Sequence, residues 1–283
     1  MRFEKWQALG NDYLIVEEGR LPWPLTPARV AALCDRHAGP GADGVLLLSP
    51  PDAPGFVARL RIFNPDGSEA ELSGNGARQA LLYLRRAGWT QENDLAIETK
   101  AGRIEATLTS DTTARVRMGR AALTSKDFPG GPPDGRGELQ AGRRRWRFQH
   151  VSIGNPQCAI RVGDRGELEA LELSAVGPEV ERSALFPHRT NVSFWHELGA
   201  ADVRARIFER GVGETLSSGT GACGAAVAHV LRGGDSPVTV HLDGGDLEVD
   251  VDEALQVVLS GWAVPVYRAE LSHELVRSLG ERA

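Results

Sequence analysis

Along most of the chain, β-branched, aromatic and other apolar residues fall in short runs with partial period-two alternation, the pattern of half-buried strands. Such runs are "DYLIVEE" and "VARLRIF" early on, "RIEATLT" and "TARVRMG" after Gly102, and then "RWRFQHVSI", "CAIRV", "TNVSFW" and "DVRARIFE". The stretch "PVTVHLDGGDLEVDV" predicts a hairpin that turns at residues 243–245. Helical spacing appears in "TPARVAALCDR", where Thr26 and Pro27 give a start signal. Two further helices are predicted after Ser73 and Ser218. With Ala80, Leu81, Leu82 and Leu84 on one, and Ala225, Ala226, Val227, Val230 and Leu231 on the other, both are too apolar all round for a surface helix. Each is expected to be surrounded by sheet, which makes the chain α+β (α/β in the broad sense). The Gly/Pro-rich patch "FPGGPPDGRGE", residues 128–138, reads as a loop or inter-domain excursion.

The two apolar helices belong to a repeat. Shifted by 145 residues, "RIFNPDGSEAELSGNGARQALLYLRRAG" (61–88) lies over "RIFERGVGETLSSGTGACGAAVAHVLRGG" (from Arg206) without a gap through Gly233. Arg61, Ile62, Phe63, Glu69, Ser73, Gly74, Gly76, Ala77, Ala80 and Gly88 meet identical residues, enough to predict two homologous halves. In both copies the order is strand, polar loop, Ser, Gly-x-Gly-Ala, helix.

Composition narrows the function. The 283 residues suffice for two cores, and 41% hydrophobic with 25% charged residues is a globular composition. A net charge of −6 argues against nucleic acid or an anionic membrane as partner. The exception, "RRRWRF" at 143–148, reads more simply as a strand with a solvated basic face. The first residues show no apolar leader core, and no apolar run approaches the ~18 residues of a membrane span, so a cytoplasmic protein is expected. Cys34, Cys158 and Cys223 are odd in number and scattered, which fits buried structural thiols in a reducing compartment.

The chemistry concentrates in the repeat. The first amides of a helix lack internal partners and the macrodipole is positive there, so two such termini facing one another form a socket for a carboxylate or phosphate. Glycines at 74, 76, 219 and 221 allow a ligand close to the backbone. A single serine before such a helix is adequately explained as an N-cap, but a cap alone does not require the same loop and glycines twice. Gly219, Gly221 and Gly224 also spell G-x-G-x-x-G, with Asp243 about twenty residues on. A polar loop separates them from their strand, and the first copy has Gln79 in place of the third glycine, so a dinucleotide site is not expected. No His, Cys or carboxylate cluster has metal-ligand spacing, and no lysine lies in either loop to form a Schiff base; neither metal nor organic cofactor is predicted.

Six motifs in order resemble the diaminopimelate epimerase family: "LGNDYLIVE" (9–17), "CDRHAGPGADGVLLL" (34–48), "FNPDGSEAELSGNGAR" (63–78), "SIGNPQCAI" (152–160), "FPHRTNVSF" (186–194) and "ERGVGETLSSGTGAC" (209–223). The resemblance spans essentially the whole chain. It implies two pseudo-symmetric β-roll or barrel domains, each around a central helix, with the ligand in the cleft between them. On that basis residues 1–118, completed by 263–283, form one domain and 119–262 the other. It also implies interconversion of LL- and meso-diaminopimelate for lysine and peptidoglycan synthesis, no pyridoxal phosphate, and a homodimer. The family's ligand contacts fall on Asn11, Asn64, Gly74, Asn75, Asn155, Asn191, Glu209, Arg210, Gly219 and Thr220. Such a set matches a diamino-dicarboxylate, which offers a carboxylate and an ammonium at each end. Taken singly, each asparagine also fits a turn former.

The family resembles other racemases that place one cysteine on each face of the α-carbon. Here those positions are Ser73 and Ser218, and Gln157 stands where the family usually has a histidine. The catalytic set expected is therefore Ser73, Ser218 and Glu209, with an altered proton-transfer pair in a retained binding site. Two alternatives stay open: a related cofactor-independent amino-acid isomerase or dehydratase, and a non-catalytic amino-acid-binding homologue.

Overall fold

Parallel strands cannot be joined by a tight turn and need a crossover connection. The parallel pairs described below are each joined through at least one helix. In the computed structural model, which describes residues 1–282, the chain divides into two compact units. One is Met1–Val116 with the stretch from Trp262 onward, and the other is Arg117–Gly261.

In the first unit, Arg2–Ala8 pairs antiparallel with Asn11–Glu17 and with Val264–Glu270. Asn11–Glu17 runs parallel to Val45–Ser49, across the helix Pro27–Cys34. Val45–Ser49 is antiparallel to Ala58–Phe63, which runs parallel to Asp94–Thr99 across the helix Gly74–Arg86. Gly102–Leu108 then follows antiparallel. In the second unit the same alternation recurs. Arg144–Ser152 is antiparallel to Pro156–Arg161, which is parallel to Asn191–Gly199 across the helices Arg165–Ala170 and Leu173–Glu181. Asp202–Glu209 follows antiparallel, then Val238–Leu242 parallel across the helix Gly219–Val230, and Gly245–Val251 antiparallel. The sequence repeat is thus a repeat of topology.

The two repeat helices are buried from Gly74 to Leu84 and from Gly219 to His229, each against strands of its own unit. Outer helices cover the other face of the sheet. Val45 and Leu47 pack with Val30, Leu33 and Cys34, whereas Leu46 faces the repeat helix at Gly76. A strand covered on both faces reads as an unbroken apolar run, here "VLLL". The terminal helix His273–Gly280 is fastened by the buried Arg29, whose guanidinium donates to the carbonyls of Leu279 (2.8 Å) and Gly280 (3.0 Å). Both carbonyls lie at the helix C-terminus, and that of Leu279 also accepts from the Arg282 amide at 3.2 Å. All three cysteines are buried, and no helix among the described residues is long and apolar enough to cross a membrane.

The patch expected to be loop through residue 138 is a strand from Arg136 onward, Arg136–Ala141. Gly137 lies opposite Phe148, and a Cβ there would come within 2.4 Å of the Phe148 ring, so this glycine marks a close packing inside a strand rather than a turn. The "RRRWRF" segment continues in the neighbouring strand, with Trp146 and Phe148 buried, Arg145 and Arg147 exposed, and the Arg144 guanidinium 4.1 Å from the Trp146 ring centre.

Two predictions test this packing. In the helix Leu173–Glu181 a Cβ on Gly177 would lie 2.4 Å from the Phe208 ring, so Gly177→Ala is expected to lower stability by about 1–3 kcal/mol in urea unfolding. The second concerns Asp12, which bonds Lys5 Nζ of the neighbouring strand (2.6 Å) and, through Arg36 Nη2 (2.7 Å), ties the 35–43 loop to its own strand. Burial pushes its pKa up, but the bonds from Arg36, Lys5 and Asp43 outweigh burial and leave it at about 2. A carboxyl depressed on folding stabilises above its unfolded pKa, and that stabilisation fades as pH falls through the folded value. The stability lost in Asp12→Asn is therefore expected to be full near neutrality and to shrink from about pH 4 toward pH 2. A loss that stays constant across that range would show that the ion pairs do not contribute.

Candidate functional site

Each serine is delivered by a small hairpin. After the strand ending at Phe63 the chain folds back so that Glu69 pairs Phe63 and Ala70 pairs Ile62; in the second copy Glu214 pairs Phe208 and Thr215 pairs Ile207. The repeated arginine and glutamate clamp these hairpins. Arg61 reaches Glu69 with two bonds of 3.1 and 2.9 Å, and Arg206 Nη2 reaches Glu214 Oε1 at 2.5 Å. Ser73 and Ser218 then take the N-cap position with extended backbones, and their Oγ atoms accept from the amides of Gly76 (3.0 Å) and Gly221 (3.2 Å). A Cβ on Gly76 would meet Leu46 at 3.1 Å, and one on Gly221 would meet Ile207 at 3.0 Å, so both glycines keep the first turn flush against a strand. Gly88 and Gly233, with φ of 80° and 97°, supply the left-handed residues beyond the two helix ends.

In the first unit the structure gathers Ser73, Gly74 and Asn75 at the helix start. The Tyr13 hydroxyl donates to Ser73 Oγ at 3.3 Å, and Arg78 Nη2 donates to Asn75 Oδ1 at 2.6 Å. Asn11 is tied to the same helix by Gln79 Nε2, which donates to its carbonyl at 3.0 Å. Its side-chain Nδ2 donates to Asp43 at 3.0 Å, and Arg36 holds Asp43 in turn at 2.7 Å. Asn64, half-buried, is bonded within its own turn to Ser68 Oγ at 3.0 Å.

In the second unit Ser218, Gly219 and Thr220 open the helix, and Glu209 joins them. Its carboxylate accepts from the hydroxyls of Thr215 (3.1 Å) and Ser218. Burial raises the Glu209 pKa, and the two hydroxyl bonds offset that only in part. Thr220 Oγ1 accepts from Asn155 Nδ2 at 3.2 Å, while Gln157 Nε2 donates to Asn155 Oδ1 at 2.7 Å. Asn191 acts as a brace: it donates to the Pro156 carbonyl at 3.1 Å and accepts from the Arg210 amide at 2.9 Å. Arg210 is exposed, with Nη1 donating to the His188 carbonyl at 3.1 Å. Among the described residues no group of three or more His, Cys, Asp and Glu is arranged to hold a metal ion.

Tyr13, Asp43, Gln79 and Thr215 were not expected as site residues. A second register, 144 residues, would have pointed to Tyr13, because it lays Leu9-Gly10-Asn11 over Ile153-Gly154-Asn155. Gly10 and Gly154 both have a positive φ, 82° and 83°, and two residues beyond the asparagine Tyr13 falls on Gln157.

The family model described as "Diaminopimelate epimerase" matches residues 3–124 and 149–266. Among curated relatives, a diaminopimelate epimerase of Synechococcus sp. (strain JA-3-3Ab) is 42% identical over 276 residues, covering 94% of this chain and 96% of the relative. Another, of Paraburkholderia xenovorans (strain LB400), is 39% identical over 285 residues, covering 96% and 98%. Among solved structures, a probable proline racemase from Agrobacterium radiobacter K84 superposes with a TM-score of 0.71 at 14% identity, over 96% of this chain and 93% of that one, which shows a shared fold. With residues 3–124 and 149–266 matched by the family model, and relatives 39–42% identical over 94–96% of its length, this chain belongs to the diaminopimelate epimerase family.

Proposed function

We propose that the protein epimerises LL-2,6-diaminopimelate to meso-diaminopimelate by two-base proton transfer, with Ser73 and Ser218 in the positions of the family's thiols. The observation that carries the reading is the duplicated helix start. Each unit presents a capped serine beside first-turn amides at a glycine-rich, partly buried helix N-terminus. A substrate carboxylate bound to such amides is stabilised further as the α-carbon becomes carbanionic, because charge moves into the carboxylate oxygens. Inversion needs a base on one face of the α-carbon and an acid on the other, and the two serines take these roles. Asn11, Asn64, Asn75, Asn155, Asn191 and Arg210 are assigned to the remaining ammonium and carboxylate groups, Asn191 through the turn it braces. Glu209, bonded to Ser218 and with its pKa raised by burial, is placed to take the proton that Ser218 passes on.

The family resemblance further suggests a homodimer in a reducing cytoplasm, with which three buried cysteines agree. Sedimentation at several concentrations tests the dimer.

One observation favours a binding-only reading, namely that each serine Oγ already accepts from a helix amide. Exchange of the α-hydrogen in deuterated solvent separates the two. Epimerase action requires exchange from both LL- and meso-diaminopimelate, and a binding protein shows none.

Three outcomes are expected. In calorimetry diaminopimelate binds well above lysine, which lacks the distal carboxylate, and Arg210→Ala weakens diaminopimelate binding by about 1.5–3 kcal/mol. Equal affinity for lysine would remove the substrate assignment. Glu209→Gln lowers kcat by about 100-fold with little change in KM, since it keeps the shape and loses the base. Ser73→Cys combined with Ser218→Cys raises turnover at least about 100-fold, and either change alone far less, because a thiol at a helix N-terminus ionises near neutrality. A parent as fast as the double-cysteine variant would refute the thiol argument.

A further inference from the structure

The two serines have different neighbours. Ser218 donates to a carboxylate, Glu209, whereas Ser73 Oγ accepts a bond of 3.3 Å from the phenol of Tyr13. In the repeat registers the counterpart of Glu209 is Asn64 and the counterpart of Tyr13 is Gln157. Neither counterpart titrates. Each unit therefore offers its serine one ionisable partner, from a different position in the repeat and of opposite character, a carboxylate on one side and a phenol on the other.

We propose that Tyr13 is a positioning and proton-relaying residue acting through Ser73, so that the site has a base arm, Ser218–Glu209, and an acid arm, Ser73–Tyr13. The proposal rests on the serine-pair reading above and specifies how hydroxyls can serve it. Two donors, the Tyr13 phenol and the Gly76 amide, converge on Ser73 Oγ. The hydroxyl hydrogen of Ser73 is thereby turned away from both, available to a third group such as the α-carbon.

The step balances without a co-reactant. On the base arm the α-C–H bond breaks as its proton passes to Ser218 Oγ, while the proton already on Ser218 moves to the Glu209 carboxylate. On the acid arm the Ser73 O–H bond breaks as its proton forms the new α-C–H bond on the opposite face, and Tyr13 re-protonates Ser73 Oγ. The enzyme is left with Glu209 protonated and Tyr13 as phenolate; water takes the first proton and supplies the second. The relay matters because a phenol, with an ordinary pKa near 10, is a far better source of that proton than an isolated aliphatic hydroxyl, which ionises well above it. Tyr13 is nearly fully buried and lies on the strand Asn11–Glu17, so the oxygen-to-oxygen distance is fixed by a rigid element.

The test is Tyr13→Phe in the full-length protein, followed in deuterated solvent with both LL- and meso-diaminopimelate. Inversion is expected to fall about 10- to 100-fold in kcat with KM within about twofold, whereas wash-out of the α-hydrogen that faces Ser218 continues, so that substrate exchanges without inverting. Adding Ser73→Cys to Tyr13→Phe restores inversion, because a thiol needs no phenol behind it. A merely structural role gives another pattern, with exchange and inversion falling together and no rescue by the cysteine, and that result overturns the relay. Inversion unchanged in Tyr13→Phe overturns it as well. A parent protein that exchanges no α-hydrogen from either isomer defeats the serine-pair reading itself, and the relay with it, by a pattern distinct from the other two.

Discussion

A helix that begins inside a protein must find acceptors for its first amides, because an unsatisfied buried N–H costs on the order of 1–3 kcal/mol. Both repeat helices begin that way, with Gly74–Gly76 and Gly219–Gly221 buried. The serine cap answers one amide in each. Much of the rest of each unit can be derived from this requirement. The parallel crossover brings the helix under the sheet, the Arg–Glu clamp fixes the hairpin that ends on the serine, and the glycine two residues into the helix lets its first turn lie against Leu46 or Ile207. Eight of the ten residues shared by the two copies, Arg61, Ile62, Phe63, Glu69, Ser73, Gly74, Gly76 and Gly88 with their partners, belong to this arrangement rather than to general core packing.

The copies differ where chemistry enters. At the repeat position after Arg78 and Cys223, one helix carries Gln79 and the other Gly224. Gln79 reaches out to the carbonyl of Asn11, whereas in the other unit Gln157 comes in from the strand, and a Cβ on Gly224 would stand 2.8 Å from that of Gln157. Both solutions fill the same space with a glutamine amide that holds an asparagine of the "GN" turn. In both the Oε1 is buried without a partner in the protein. Buried amide oxygens of this kind are normally satisfied, so two in equivalent places mark the helix starts as the polar, incompletely satisfied part of each core.

How much of this was legible in the sequence depended on the range of the interactions. The strands "DYLIVEE" and "DVRARIFE", the hairpin at residues 243–245 and both buried helices were readable because period and capping are local signals. The helix Leu173–Glu181 was not, since Gly177 and Pro178 break its pattern and its burial against Phe208 is tertiary. Gly137 was misread as a loop residue for a similar reason, because the ring that excludes a side chain there belongs to another strand. At the site the duplicated serines were visible from the repeat. The neighbours that set their chemistry depend on folding: Tyr13 is sixty residues from Ser73 in sequence, and Thr215, six residues from Glu209, reaches it only through the hairpin. Contacts of that kind are invisible to periodicity, and only the second register of the repeat held a trace of them.

Capping and proton transfer place compatible demands on the serines. A hydroxyl oxygen that accepts a helix amide keeps that bond when it loses its proton, and the bond becomes charge-assisted and stronger. The positive end of the helix acts in the same direction, lowering the free energy of an alkoxide at Oγ relative to the hydroxyl. Each of these contributes of the order of 1–3 kcal/mol, while every pKa unit is worth about 1.36 kcal/mol, so one helix end shifts a hydroxyl by only about one or two units. That falls short of the gap between an aliphatic hydroxyl and neutrality. A serine in this position therefore works only if no full alkoxide has to form, which requires a second group that gives or takes the proton as the first one moves. For Ser218 such a group is present as the Glu209 carboxylate, and for Ser73 as the Tyr13 phenol. A thiol would need neither, and the helix start alone would suffice for it.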